Sequence, residues 1–248
     1  MGRRRFHAPP GAFNSHSRTV RLEADEARHL REVLRLQPGD EVYVFDGTGK
    51  EFRCAIESSR RDTALLNVLE EIEPASPESP FQITLAVALL KSDKFDLVVQ
   101  KATELGVVRV VPVMTRLADI KLKDESDANK RVMRWRRIAL EAAKQSGRAF
   151  VPEIAVPVAF AELINAPKSN DQKVLFSERQ GESLDSMEHK HGPMTALVGS
   201  EGGWTKDELD AAETAGWKLI TLGGRTLRAE TAAIAVATLL QHRFGDLN

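Results

Sequence analysis

The chain has a single cysteine, no hydrophobic run long enough to cross a membrane, and almost no net charge, and each of these shortages excludes a class of protein. Cys54 alone cannot close an internal disulfide, and one thiol without clustered histidines makes no zinc site of the usual spacings. A reducing cytoplasm is the expected location, and no metal is expected. Apolar stretches such as Ala232 to Leu240 fall well short of the roughly 18 residues a membrane span needs. Met1 to Pro10 carries charge but no apolar segment of the kind an export signal contains, so neither export nor membrane anchoring is expected. Several motifs are missing as well. There is no G-x-G-x-x-G after the first α/β strand, and Gly47-Thr48-Gly49-Lys50 lacks the upstream glycine and trailing Ser/Thr of a P-loop, so it reads as a hairpin turn. Without G-x-S-x-G, H-E-x-x-H or paired cysteines, a serine hydrolase, a zinc enzyme and a dinucleotide oxidoreductase are all disfavoured. His189 and His191, in a polar stretch, read as surface histidines.

What is present suits a globular protein. The 248 residues exceed the usual single domain, and 42% hydrophobic with 29% charged residues can build and cover a core. A net charge of −1 argues against a nucleic-acid partner, but the charge is unevenly spread. Met1 to Leu22 holds Arg3, Arg4, Arg5, Arg18 and Arg21 and no acid. Asn129 to Arg148 holds Lys130, Arg131, Arg134, Arg136, Arg137, Lys144 and Arg148 against Glu141 alone. Either patch is solvated surface or a phosphate-binding face.

Pro74, Pro77 and Pro80, interleaved with Ser and Glu, mark a linker over 73–80. The domain before it, 1–72, reads as mostly β with one helix at Asp25 to Leu36, where Ala27, Leu30, Val33 and Leu34 have helical spacing. Its strands are expected at Glu41 to Phe45, Glu51 to Ile56 and Thr63 to Ile72, with a turn at Asp46 to Gly49. From 81 to 248 strand and helix alternate, the pattern of a mostly parallel α/β sheet. Strands are expected at Ile83 to Leu90, Val107 to Met114, Lys173 to Ser177, Thr195 to Val198 and Lys218 to Leu222. Helices are expected from Ser92 or Asp93 to Leu105, from Asp127 to Gly147, from Lys206 to Ala215 and from Glu230 to Arg243. On the long helix Arg134, Arg137, Glu141, Lys144 and Arg148 share one face, while Val132, Trp135, Ala139 and Ala142 share another, so Trp135 reads as core.

Three turns follow strands of the second domain: Ser177-Glu178-Arg179, Gly199-Ser200-Glu201-Gly202-Gly203, and Leu222 to Arg228. Ligands of open α/β sheets bind beyond the carboxyl ends of the strands, and glycines let the main chain approach them closely. These turns are therefore the candidate cofactor site.

The two glycine segments, the second running on as Leu222-Gly223-Gly224-Arg225-Thr226-Leu227-Arg228-Ala229-Glu230-Thr231-Ala232, resemble the paired signatures of the SPOUT methyltransferases, and among them the RsmE family. The resemblance runs along nearly the whole chain, through Arg5-Phe6, His29-Leu30, Val33-Leu34-Arg35, Gln100-Lys101, Glu104-Leu105-Gly106, Trp135, Ile138-Ala139, Gln145, Arg148, Val151-Pro152 and Arg243 to Leu247. One position departs: Ser200 stands where the family commonly has proline, which should loosen that turn slightly. The resemblance implies a PUA-like β-barrel domain that binds RNA, a C-terminal domain with a deep trefoil knot at about 173–235, and a homodimer. It implies S-adenosyl-L-methionine as methyl donor, S-adenosyl-L-homocysteine as product, and N3 of a uridine in the small-subunit (16S) ribosomal RNA as target. Mapped onto this chain, the donor site comprises Ser177, Leu197, Gly199, Ser200, Glu201, Gly202, Gly203, Leu222, Gly223, Leu227, Thr231 and Ala232.

Methylating an imide nitrogen needs a proton acceptor and a cation for the charge that spreads onto O2 and O4. Arg225 or Arg228 suits the cation, since guanidinium stays protonated. Glu230 or Glu201 is the candidate base. For Glu230 the alternative is a carboxylate favoured in a helix first turn; for Glu201 it is a partner for the donor's ammonium, and water is a third acceptor. Arg3, Arg4, Arg5, Arg18, Arg35, Arg134, Arg137 and Arg148 are the candidate RNA contacts. The rivals are a related enzyme acting on a ribose 2′-hydroxyl and an RNA-binding ribosome-assembly protein without catalysis.

Overall fold

The structure is a computed structural model and describes residues 3–118, 120–167, 171–188 and 192–247. His189 and His191 lie outside the described residues. The chain divides into two compact units. One comprises residues up to Glu78 together with Ala143–Val151, the other Ser79–Ala142 and the chain from Pro152 onward.

The first unit is built on six strands: β1 (Arg5–His7), β2 (Phe13–Asn14), β3 (Thr19–Glu23), β4 (Glu41–Phe45), β5 (Glu51–Ser59) and β6 (Thr63–Ile72). They form one sheet in the order β1-β4-β5-β6-β3-β2, with β1 parallel to β4 and the other pairs antiparallel. β1 and β2 are its two edges, so it is a half-barrel and not a closed one. Alternation puts Val42 and Val44, Cys54 and Ile56, and Ala64 and Leu66 into one apolar cluster with Phe6, Val20 and Leu22. Arg5–His7, Phe13–Asn14 and Thr19–Glu23 were not legible as strands, because two of them span three residues or fewer, too short for an alternation to show, and the third has only five.

The expected helix over Asp25 to Leu36 is only partly one. Helix α1 (Ala24–Arg28) widens into a turn over His29–Val33, where the Leu34 amide reaches the His29 carbonyl at 3.0 Å. Arg35, at φ 54°, then leaves the helix. Widening buries Ala27 and Leu30 but leaves Val33 68% exposed, so the apolar stripe read from the spacing is half solvent-facing.

Residues 143–151 belong to this unit because of a buried ion network. Glu51, with its side chain wholly buried, accepts from Arg5 Nε at 3.0 Å and from the Ala75 amide at 2.9 Å. The Arg5 guanidinium also donates to the carbonyls of Ala143, Lys144 and Arg148. Arg148 is itself 3% exposed and is paired through Nε with Glu78 at 3.0 Å. Arg5 and Arg148 are thus corrected from RNA contacts to internal ties: each guanidinium satisfies buried carboxylates or carbonyls, and neither presents its charge to solvent.

Among the described residues the second unit holds eight strands: β7 (Ile83–Ala88), β8 (Arg109–Met114), β9 (Glu153–Ile154), β10 (Val158–Ala159), β11 (Gln172–Phe176), β12 (Glu182–Ser183), β13 (Met194–Val198) and β14 (Lys218–Thr221). The sheet order is β10-β8-β7-β13-β11-β14-β12, with β9 also on β8, and every pair is parallel. β13 is buried at all five positions, as a strand covered on both faces requires. Helices α2 (Ser92–Glu104), α3 (Glu125–Ser146), α4 (Phe160–Ile164), α5 (Lys206–Thr214) and α6 (Ala229–Phe244) complete the chain. The last turn of α3 falls in the first unit. Phe160 and Ile164 of α4 and Leu209 and Ala212 of α5 pack with Val111, Val113, Leu175, Leu197 and Leu219 of the sheet. α6 packs on α2 and on β7 and β13. Trp135 is 2% exposed, with its ring 4.3 Å from that of Phe95, as its helix position predicts. None of the described helices is long and apolar enough to cross a membrane.

Two outcomes follow from burial in the first unit. Glu51→Ala strands the Arg5 charge and should lower unfolding free energy by about 3–5 kcal/mol, read from urea denaturation. Burial pushes the Cys54 thiol up to about 12. The native protein should therefore resist iodoacetamide at pH 8 and react only once urea has unfolded it; labelling of the folded chain at the rate of a free thiol would contradict this.

Candidate functional site

Parallel pairing brings three strand ends together. Phe176 is in register with Val198 on one side and with Ile220 on the other, so β11, β13 and β14 stop at one level. The turns that follow enclose a cavity of about 180 Å³. Its walls are residues 176–179, 198–200 and 221–227 with Gly203 and Trp204, and Ala229, Ala232 and Val236 of α6 also line it.

Short hydrogen bonds hold the walls. The Ser177 amide donates to the Ile220 carbonyl at 2.9 Å, and the Trp204 indole N–H donates to the Phe176 carbonyl at 2.9 Å. The Thr221 hydroxyl donates to the Glu178 carbonyl and accepts from the Gly223 amide at 3.2 Å. Gly223 and Gly224 have φ of 68° and 72°, a conformation that side-chain-bearing residues rarely hold, and a Cβ on either would meet open space. Bare main chain therefore faces the cavity. Apolar Phe176, Val198 and Val236 beside such main chain suit a ligand with a flat ring and several polar groups, as an adenosine-bearing sulfonium has.

The turn at 199–203 rests on residues 115–118. Ser200, 8% exposed, donates its hydroxyl to the Leu117 carbonyl at 3.0 Å. Buried Glu208 accepts from the Arg116 amide at 2.9 Å while capping α5 through Thr205. Serine in place of proline thus adds a tether to this turn, against the loosening expected of it. At Gly202 a Cβ would stand 2.8 Å from Leu117 Cβ and 2.9 Å from its carbonyl oxygen, so only glycine fits.

Of the residues assigned to the donor from sequence, Ser177, Gly199, Ser200, Gly203, Leu222, Gly223, Leu227 and Ala232 line the cavity. Leu197 does not; it is fully buried among Leu209 and Ala212 and supports β13 from the core. Glu201 and Gly202 border a separate small cleft with Lys91, Lys94 and Leu117, and Thr231 is exposed outside the cavity. Arg225 lines the main cavity. Arg228 lines a second cavity of about 410 Å³ with Lys94, Glu201, Thr226 and Leu227. Glu230 lies beneath Lys94, whose ammonium contacts Glu201 and stands 3.7 Å from Glu230 Oε2.

Sequence reasoning missed Phe176, Val198, Trp204, Thr221 and Val236 on the cavity walls, and Lys94 beside it. For Phe176 and Val198 position at a strand end was the available signal. Nothing local marks Lys94, which meets Glu201 across 107 residues of chain.

The basic patches are smaller than they look in sequence. Lys144 is paired with Glu26, Arg131 with Asp127 and Arg134 with Asp96. Arg3 reaches the Glu73 carbonyl and Glu51, and Arg18 the Leu69 carbonyl at 2.7 Å. Arg4, Arg35 and Arg137 are exposed.

Comparison with known proteins agrees with this geometry. A family model described as RNA methyltransferase domain matches residues 77–241, and one described as RNA methyltransferase PUA domain matches residues 22–69. The fold and site are thus of the PUA-bearing RNA methyltransferase class. Ribosomal RNA small subunit methyltransferase E of Synechocystis sp. is 33% identical over 89% of this chain and 72% of its own. The Bacillus subtilis protein of the same name is 30% identical over 91% and 90%. A crystal structure of ribosomal RNA small subunit methyltransferase E from Neisseria gonorrhoeae, bound to S-adenosyl methionine, is similar over the whole of both chains, with a TM-score of 0.90 and 33% identity. A Legionella pneumophila structure with the same cofactor also has a TM-score of 0.90, at 28% identity. The chain belongs to the ribosomal RNA small subunit methyltransferase E family.

Gly202→Ala should overpack the turn against Leu117 and cost about 1–3 kcal/mol, seen as a lowered urea midpoint. An unchanged midpoint would show that the two loops separate freely.

Proposed function

We propose that this protein transfers a methyl group from S-adenosyl-L-methionine to N3 of a uridine in the small-subunit ribosomal RNA, leaving S-adenosyl-L-homocysteine, and that it does so without a metal. The observation that carries the reading is the convergence of three turns on a cavity lined by bare main chain, in a member of this family. A structure of similar fold that is bound to S-adenosyl methionine supports the same use of the cavity. The reading includes an RNA-binding domain over 1–72, a linker over 73–80, a methyltransferase domain over 81–248 threaded as a trefoil knot at about 173–235, a homodimer, and a cytoplasmic location.

When bound, the donor supplies an electrophilic methyl on a sulfonium. The protein's share is to hold it, exclude water and manage the acceptor's proton and charge. Ser177, Gly199, Ser200, Gly203, Leu222 and Gly223 would hold the donor with main-chain and hydroxyl groups, while Leu227 and Ala232 cover it. Arg228 or Arg225 stabilises the charge that builds on the uracil oxygens as the N3 proton leaves; Glu230 or Glu201 takes that proton. Gly202, Leu197 and the main chain of Glu201 act on the donor through the turn and strand that they support, while the Glu201 side chain borders the second cavity. For RNA, exposed Arg4, Arg35 and Arg137 offer charge directly, with Arg3, Arg18 and Arg134 already partly engaged.

The decisive experiment incubates the purified protein with labelled donor and unmodified small subunits and locates the methyl group by mass spectrometry. Methylation of a ribose, or none, would overturn the reading. Arg228→Ala should lower turnover by about 100-fold or more while calorimetric donor affinity stays within about twofold, and unchanged turnover removes it from the chemistry. Affinity for small subunits should fall steeply with added salt, less so in an Arg4→Ala, Arg137→Ala double variant; a salt-independent affinity would contradict phosphate contact.

A further inference from the structure

We infer that the second cavity, lined by Lys94, Glu201, Thr226, Leu227 and Arg228, receives the acceptor base, and that Glu201, in preference to Glu230, takes its proton while Lys94 faces a ring oxygen. This rests on the methyl-transfer reading and specifies the acceptor half of it.

The second cavity, about 410 Å³, shares Thr226 and Leu227 with the donor-type cavity, so one short stretch of chain borders both. A group held in one can therefore meet a group held in the other past the same two residues. The imide edge of uracil presents an acceptor, a donor and an acceptor in a row: O4, N3–H and O2. Its complement is donor, acceptor, donor. The ammonium of Lys94, the carboxylate of Glu201 and the guanidinium of Arg228 supply those three kinds of group around one space. Cytosine presents an amino donor, an acceptor N3 and an acceptor O2, so its N3 would face the carboxylate with no proton between them. The cavity thereby selects against cytosine by setting its N3 lone pair against the carboxylate and its amino group against a cation.

The two glutamates differ in placement. Glu201 has a side chain 45% exposed and borders the cavity, whereas Glu230 is 13% exposed and borders none of the cavities described. Glu230 Oε2 is buried without a hydrogen-bond donor among the described residues, and the Lys94 ammonium is 3.7 Å away. Glu230 is thus a positioning residue that holds Lys94 from beneath. As an imide edge enters, Lys94 exchanges its contact with Glu201 for one with a ring oxygen, which frees the carboxylate. Glu201 then takes the N3 proton as the N3 lone pair bonds to the methyl carbon. The carbon–sulfur electron pair stays with sulfur, so a sulfonium and a carboxylate end as a neutral thioether and a carboxylic acid.

The test begins without donor. A short single-stranded RNA carrying 4-thiouridine is irradiated with the full-length protein, and the cross-linked peptides are identified by mass spectrometry. Cross-links to residues 91–94, 199–203 or 225–228 are expected, competed away better by uridine oligonucleotide than by its cytidine counterpart; cross-links confined to other segments would overturn the assignment. With donor and small subunits, Glu201→Gln should lower kcat by about 100-fold or more and remove the acid limb of its pH profile, with donor binding unchanged by calorimetry. Lys94→Ala should lower kcat/KM and Lys94→Arg should restore part of it, while Glu230→Gln should raise KM more than it lowers kcat. Turnover of Glu201→Gln within about threefold of wild type sinks the role given to it. If the wild-type protein binds no S-adenosylmethionine, or its methyl group lands on ribose, the methyl-transfer reading itself fails and takes this assignment with it. Intact donor binding and N3 methylation with no cross-link at the cavity overturn this assignment alone.

Discussion

The hydrogen-bonded register among β11, β13 and β14 is the constraint from which the site follows. Parallel strands have no freedom to slip by one residue when both faces are covered, because a slip would turn every apolar side chain to the wrong side. β13 is buried throughout and is paired on both edges, with β7 and with β11. Its end at Val198 is thereby locked level with Phe176, and β11 locks Ile220 at the same height. The three turns then have nowhere to go but over the same opening.

On that platform the turns are kept open by different means. The 222–228 segment uses left-handed glycines, so its main chain faces the space. The 199–203 segment is held down from outside, by the Ser200 hydroxyl on Leu117 and by the absence of a side chain at Gly202. The Arg116 amide is in turn held by Glu208, which also completes the capping box of α5 with the N-cap residue Thr205. One buried carboxylate thus couples a helix start to a loop that borders the site, which is a use of burial that rewards full satisfaction of its oxygens.

Charge in this protein is spent internally more often than its composition suggests. Arg5 and Arg148 stitch a distant segment into the first unit, and Lys144 is taken up by Glu26. What is left exposed is a smaller set of arginines, among them Arg4, Arg35 and Arg137. The second unit spends a lysine similarly, between Glu201 and Glu230, but there the cation borders a cavity.

The five longer strands of the second unit, its helices other than α4, the candidate turns and the burial of Trp135 were legible in the order of residues, because apolar periodicity and glycine placement are local properties that each segment carries by itself, whereas β9, β10, β12 and α4, of two to five residues, are too short to show a period. So was the family, through two glycine signatures that follow β13 and β14. The short N-terminal strands, the widened turn at His29–Val33, the membership of residues 143–151 in the first unit, and the fate of each arginine were not. The membership of 143–151 depends on groups that meet across distant stretches of chain, as Arg5 meets Glu51, 46 residues away, and Arg148, 143 away. The same holds for Lys94. Its neighbours in sequence describe an ordinary helix start, and only the folding of β13 against β7, with α6 laid across both, brings two carboxylates to its ammonium. Local pattern decides what a segment becomes; long-range pairing of charge, which no local pattern encodes, decides what its side chains are for.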